Sequence, residues 1–121
     1  MSVTYVIDLV SATSFSYTTS YGGYFESPLY VVGTPLNKRS FTELEFQLAK
    51  ELATDEGIRI SYRVNLTDTF TTIGTYTYAT LGAVTSHHAI ADIPATEMLQ
   101  IKVALCGTAT TTPQLKQIIL R

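Results

Sequence analysis

The chain has 121 residues, of which 45% are hydrophobic, 11% aromatic and 15% charged, with a formal net charge of −2. One domain is expected at this length, and so low a charge content excludes an intrinsically disordered chain. The slightly acidic balance offers no basic field to a nucleic-acid backbone, and no apolar run reaches the roughly 18 residues of a membrane helix.

Threonine is the most frequent residue type, and there are 8 Tyr but no Trp. Both Thr and Tyr suit a pleated, half-buried surface and lose side-chain freedom in helices, so the composition favours an all-β domain. The single cysteine, Cys106, has no internal disulfide partner, which suits folding in a reducing cytosol. Met1-Ser2-Val3 lacks the basic head and long apolar stretch of a secretory leader, so none is expected.

Val3, Tyr5, Ile7 and Leu9 alternate with Thr4 and Asp8, predicting a half-buried strand over 3–10. Residues 11–23 mix Ser, Thr, Tyr and Gly, and Gly22-Gly23 marks a break; the stretch reads as loop through Phe25. Leu29 to Val32 is a short strand between Pro28 and Gly33, followed by a polar connection to Arg39.

Ser40 to Leu52 has two readings. As a helix, Ser40 and Glu43 form a capping box and Phe41, Leu44, Leu48 and Leu52 share a face, but Phe46 falls on the polar side. As a strand, Thr42, Leu44, Phe46 and Leu48 face inward while Glu43, Glu45 and Gln47 face water, leaving only Phe41 and Leu52 at the ends. The strand reading uses more of the large apolar residues and is preferred, against local propensity. Asp55-Glu56-Gly57 then supplies a turn, and Ile58, Ile60, Tyr62, Val64 and Leu66 alternate as the clearest strand in the chain. A hairpin is expected here, with Glu43 or Glu45 opposite Arg59 or Arg63.

Phe70–Ile73 and Thr75–Thr80 read as two short strands around Gly74, Gly82–Ala91 as a loop, and Asp92–Ala95 as irregular. Leu99, Ile101, Val103 and Leu105 mark a long strand, Gly107–Pro113 a turn, and Leu115–Leu120 a terminal strand. About eight strands separated by turn signals define an antiparallel β-sandwich, jelly-roll-like in kind. One domain over residues 1–121 is expected, its first 26 residues combining a strand with a Tyr/Ser-rich segment suited to attachment or contact.

Candidate chemistry is sparse. His87 and His88 are adjacent and point to opposite faces of an extended chain, so they are read as loop histidines rather than a joint ligand set. Asp55 and Glu56 lack the EF-hand spacing and read as a polar turn. Glu43 and Glu45, about 7 Å apart on one strand face, could be imagined as paired acids, but both are expected to face solvent. Cys106, with no cationic neighbour in sequence, reads as a structural thiol. No catalytic residue, metal or cofactor is expected. Tyr17, Tyr21, Tyr24 and Phe25 are the candidate contact residues, because exposed aromatic rings bury large area at small entropic cost. Such rings could dock a neighbouring subunit, stack on sugars, or cap the open end of the sandwich.

Three stretches carry a resemblance: Ser27-Pro28-Leu29-Tyr30 through Val32-Gly33-Thr34-Pro35 and on to Phe41–Lys50; Glu56–Arg63 with Phe70-Thr71-Thr72-Ile73; and Met98–Leu105 with Thr112-Pro113-Gln114-Leu115-Lys116. Together, over about residues 27 to 121, they resemble the β-sandwich domains of tailed-bacteriophage virion structural proteins. The resemblance implies a non-enzymatic assembly or surface-decoration module of capsid, neck, tail or fibre, made in the host cytoplasm and carried in the virion. Its partners would be further copies of itself and other virion proteins, with neither nucleic acid nor membrane insertion. Two alternatives stay open: a carbohydrate- or receptor-binding module that docks a host-surface glycan on exposed tyrosines, and a hydrolase using Glu43, Glu45 or His87.

Overall fold

A computed structural model describes residues 5–8, 23–107 and 113–121. Among these residues the chain forms β1 (Tyr5–Asp8), β2 (Gly23–Glu26), β3 (Tyr30–Val31), β4 (Arg39–Leu48), β5 (Gly57–Arg63), β6 (Thr71–Thr77), a helical turn α1 (Tyr78–Leu81), β7 (Ser86–Thr96), β8 (Met98–Cys106) and β9 (Leu115–Leu120). One antiparallel sheet has the order β1-β9-β4-β7; the other has the order β2-β8-β5-β6, with β3 also paired to β8. The two short strands β2 and β3 share one edge of β8, with Ser27-Pro28-Leu29 between them, so they fill one position of the sandwich. Four of the pairings are nested: β1 with β9, β2 with β8, β4 with β7, and β5 with β6. The chain is thus one long hairpin with its tip at the β5–β6 turn, rolled into two facing sheets, and the expected jelly-roll-like sandwich is what forms.

The inner faces interdigitate between the sheets. Leu44, Phe46, Ile93, Ile118 and Leu120 from the first sheet meet Ile58, Ile60, Ile101, Val103 and Leu105 from the second, all essentially inaccessible to water. Within the Ser40–Leu52 segment the strand wins over the helix, as β4 ending at Leu48, because its two edges are paired, to β7 on one side and β9 on the other. Its alternation is not continuous, however. The N–H groups of Thr42 and Glu43 both donate to the Arg121 carbonyl, at 2.8 and 3.0 Å. Two successive residues therefore lie on the outer face, and the phase of alternation slips by one. Phe41 is buried as a result, and Thr42, expected inward, is exposed.

Several expected connections differ. β4 and β5 belong to different sheets, so no hairpin joins them, and Glu43 and Glu45 do not face Arg59 and Arg63. The link between them is held by Glu56, whose backbone N–H donates to the Ala53 carbonyl (3.0 Å) and whose buried carboxylate accepts from the Ala53 N–H (2.7 Å). Thr71–Thr77 is one strand with Ile73 as an extra residue opposite β5, and Tyr78–Thr80, expected as strand, belongs to the helical turn Tyr78–Leu81.

The expected loop over 82–91 and irregular stretch over 92–95 are largely the 11-residue strand β7. Its alternation was hidden because its inward residues include the small Ala89 and Ala91, whereas the large Ile90 faces outward at 85% exposure. Pro94 is tolerated because β7 is an edge strand. Likewise Gly23–Glu26, expected as loop, is strand β2, recruited by backbone pairing to β8 despite its glycine.

Candidate contact surface

The outer face of the second sheet is assembled by cross-strand register. Tyr24 lies opposite Ala104, which lies opposite Arg59; Glu26 lies opposite Lys102, which lies opposite Ser61; and Gln100 lies opposite Arg63. Diagonal neighbours on one face are within reach of long side chains. The Lys102 ammonium accordingly sits 4.3 Å from the Tyr24 ring centroid and 5.3 Å from that of Phe70, and the Arg63 guanidinium sits 4.3 Å from the Phe70 ring. Tyr24, Lys102, Phe70 and Arg63 thus alternate as ring and cation across β2, β8, β5 and the residue just before β6. Each such contact is worth about 0.5–1 kcal/mol at an exposed site.

A polar seam fixes this ladder from beneath. Arg63 Nε donates to Gln100 Oε1 at 2.6 Å, and Gln100 Nε2 donates to the Ser27 carbonyl at 2.8 Å. Ser27 Oγ accepts from the Ile101 N–H at 2.9 Å and donates to the Pro28 carbonyl at 2.9 Å. Ser27 and Gln100 are both buried, so their polar groups find partners where the β2–β3 edge is interrupted. Arg63 Nη1 also reaches the Asp68 carbonyl at 3.3 Å, in a turn where Asn65 Oδ1 accepts from the N–H groups of Thr67 and Asp68.

Of the candidate contact residues, Tyr24 is 52% exposed on this face, while Phe25, one residue on, packs half-buried against the core. Tyr17 and Tyr21 lie outside the described residues. Lys102 and Phe70 were not singled out from the sequence, and Arg63 only as a cross-strand partner for Glu43 or Glu45. The outward phase of Arg63 and Lys102 was legible in the alternation of their strands, but the approach of Phe70 depends on the fold of the preceding turn.

The two histidines do point to opposite faces, but from a strand rather than a loop. His87 turns inward between Phe46 and Tyr76, with ring centroids 5.6 and 5.3 Å away, and Phe46 and Tyr76 are themselves 4.9 Å apart. This cluster closes the gap between edge strands β6 and β7, and burial raises the Tyr76 phenol above its usual 10.0. His88 faces outward, its Nε2 at 3.2 Å from Glu45, whose other oxygen lies 3.7 Å from Arg121. Glu45 on β4 is therefore tied to β7 and to the residue that follows β9, while Glu43 is exposed and, with His88, Ala89 and Ile90, lines a shallow concavity. Cys106 ends β8 half-buried. Among the described residues no group of three or more His, Cys, Asp or Glu could hold a metal ion, and no helix is long and apolar enough to cross a membrane.

No family model matches the chain, and no curated protein matches it.

Proposed function

We propose that this domain is a non-enzymatic structural component of a bacteriophage particle, a jelly-roll unit that builds or decorates the assembly through its broad sheet faces. The observation that carries the reading is the nested strand pairing, an arrangement used by viral capsid domains. Two further features support it: the sequence resemblance over residues 27 to 121, and an outer face built from ordered aromatic and cationic side chains rather than from a deep cleft. Its partners are then copies of itself and other virion proteins, and its location is the virion. A domain repeated in a symmetric particle needs only modest contacts per copy. Mass spectrometry of purified particles, with immunogold labelling of the chain, tests this. Stoichiometric presence at one location is expected, and absence from particles refutes it.

A second reading is favoured by the half-exposed Tyr24 ring, because jelly rolls also serve as lectin domains. On that reading Tyr24 stacks on a host-surface glycan, and a glycan array compared with Tyr24→Ala decides: binding that disappears in the variant supports it, and no binding across diverse glycans removes it.

A further inference from the structure

The two broad faces of the sandwich differ in charge. On the second sheet, Arg59, Arg63 and Lys102 share the outer face with one described carboxylate, Glu26. On the first sheet, the β4–β7 half carries Glu43 opposite Ile90, Glu45 opposite His88, and Asp92 one alternation further along β7. Arg121 and His88 both lie on Glu45, whereas Glu43 and Asp92 are exposed and have no ion pair among the described residues. Between these two acids stands Ile90, beside the concavity it shares with Glu43, His88 and Ala89. One face therefore offers cations around an exposed ring, Tyr24, and the opposite face offers acids around an exposed aliphatic side chain and a hollow.

We infer that the occupant of each face is the opposite face of a second copy of this chain, with Lys102 and Arg59 of one copy meeting Glu43 and Asp92 of the next and Tyr24 settling against Ile90. The pairing is heterologous: a row of any length keeps one face of each kind open at its ends, so copies go on adding or the row closes into a ring. Four strands about 4.8 Å apart and about seven residues long span roughly 19 by 23 Å, near 440 Å². That is below the roughly 800 Å² per partner of a stable pairwise complex, so a single contact is weak and the array is held by repetition. Charge complementarity sets which face is chosen, because like-charged faces repel.

The inference rests on the assembly reading, but its test needs only purified protein, whereas that reading is decided by particle composition; the two can fail separately. Sedimentation equilibrium of the wild type at ~0.01 M salt, where the Debye length is about 30 Å, should show mass rising with concentration, and at ~1 M salt, where it is about 3 Å, the rise should be lost. Lys102→Glu with Arg59→Glu makes both faces acidic, and Glu43→Lys with Asp92→Lys makes both basic. Each double variant alone should associate about 100-fold more weakly than wild type. Mixed in equal amounts the two should regain association by alternating, since every contact between the two different variants is again between opposite charges. Far-UV circular dichroism confirms that each is folded, and Lys102→Ala with Arg59→Ala, a milder change, should fall between wild type and reversal. The inference is overturned by a wild type that stays monomeric at its highest soluble concentration, by reversals that leave association unchanged, or by a mixture that fails to recover it.

Discussion

The slip in β4 makes a sharp prediction about two adjacent residues. With unbroken alternation from Leu44 backwards, Thr42 would point into the core and Phe41 to solvent. With Thr42 and Glu43 both bonded to the Arg121 carbonyl, Phe41 is 2% exposed and Thr42 lies outside. Removing a buried phenylalanine side chain costs about 3–5 kcal/mol in lost transfer and cavity terms. An exposed threonine away from any cap or network changes stability by within about 0.5 kcal/mol. Phe41→Ala should therefore lower stability by about 4 kcal/mol, a large part of the roughly 5–15 kcal/mol available to a domain. With a urea slope of about 2 kcal/mol per molar, the midpoint should fall by about 2 M, while that of Thr42→Ala should hardly move. The chain has no tryptophan, so far-UV circular dichroism is the readout. Phe41→Leu keeps most of the volume and should fall between the two, which guards against an alanine variant too unstable to measure. A smaller loss for Phe41→Ala than for Thr42→Ala would show that β4 alternates without a bulge and would return Phe41 to the surface.

Other positions give further tests. A Cβ at Gly33 would lie 2.6 Å from the Asn37 carbonyl oxygen and 3.0 Å from that of Thr96, both backbone atoms, so Gly33→Ala should cost about 1–3 kcal/mol by thermal melting. Tyr76 has its folded pKa raised by burial, so its contribution to stability is fully present below the unfolded value near 10.0 and is lost as pH rises through the folded value. Stability should therefore fall above about pH 10 in the wild type and fall less in Tyr76→Phe, as urea midpoints across that range would show. Tyr24→Ala and Lys102→Ala should couple by about 0.5–1 kcal/mol in a double-mutant cycle of unfolding free energies; strict additivity would mean that the ring and the ammonium do not interact in solution. Glu56→Ala removes the acceptor of the Ala53 N–H and should destabilise by about 1–3 kcal/mol, read from the same urea curves.

What the sequence displayed openly was period-two alternation wherever large and polar residues occupy opposite faces. Ile58 and Ile60 against Arg59, and Leu99 to Leu105 around Lys102, follow it, and both segments form strands in the expected phase. The signal failed where side-chain size ran against position. In β7 the inward residues include Ala89 and Ala91 and the outward ones include Ile90, so a long strand read as loop. It failed also where backbone pairing, rather than side-chain pattern, makes the strand, as at Gly23–Glu26 beside β8. Strand partners were least legible of all. Adjacent strands β4 and β5 have compatible charges for a hairpin, yet β4 pairs with β9, some seventy residues away, because the rolled topology sends each to a different sheet. For the contact surface, Tyr24 was visible as an aromatic in a polar segment, but its neighbours Lys102 and Phe70 reach it only through register.

The treatment of the sheet edges bears on how such a domain can associate. An exposed edge strand is a template for uncontrolled pairing, and proteins blunt it with prolines, charges, bulges or short strands. Three edges among the described residues carry such devices. In β7, Pro94 lacks an N–H and Asp92 places an acid beside it. In β6, Ile73 is an extra residue opposite β5, which disturbs the ladder at Gly74. Along β8, the outer edge strand is cut into β2 and β3 by Ser27-Pro28-Leu29, with Ser27 and Gln100 sealing the gap by side-chain hydrogen bonds. Edges obstructed in this way favour growth through the faces, where partner choice depends on side-chain charge and can be reversed by two substitutions on one face. Edge-driven association would depend on backbone instead, and would respond to Pro94→Val by increasing; face-driven association should leave that variant's self-association constant at the wild-type value.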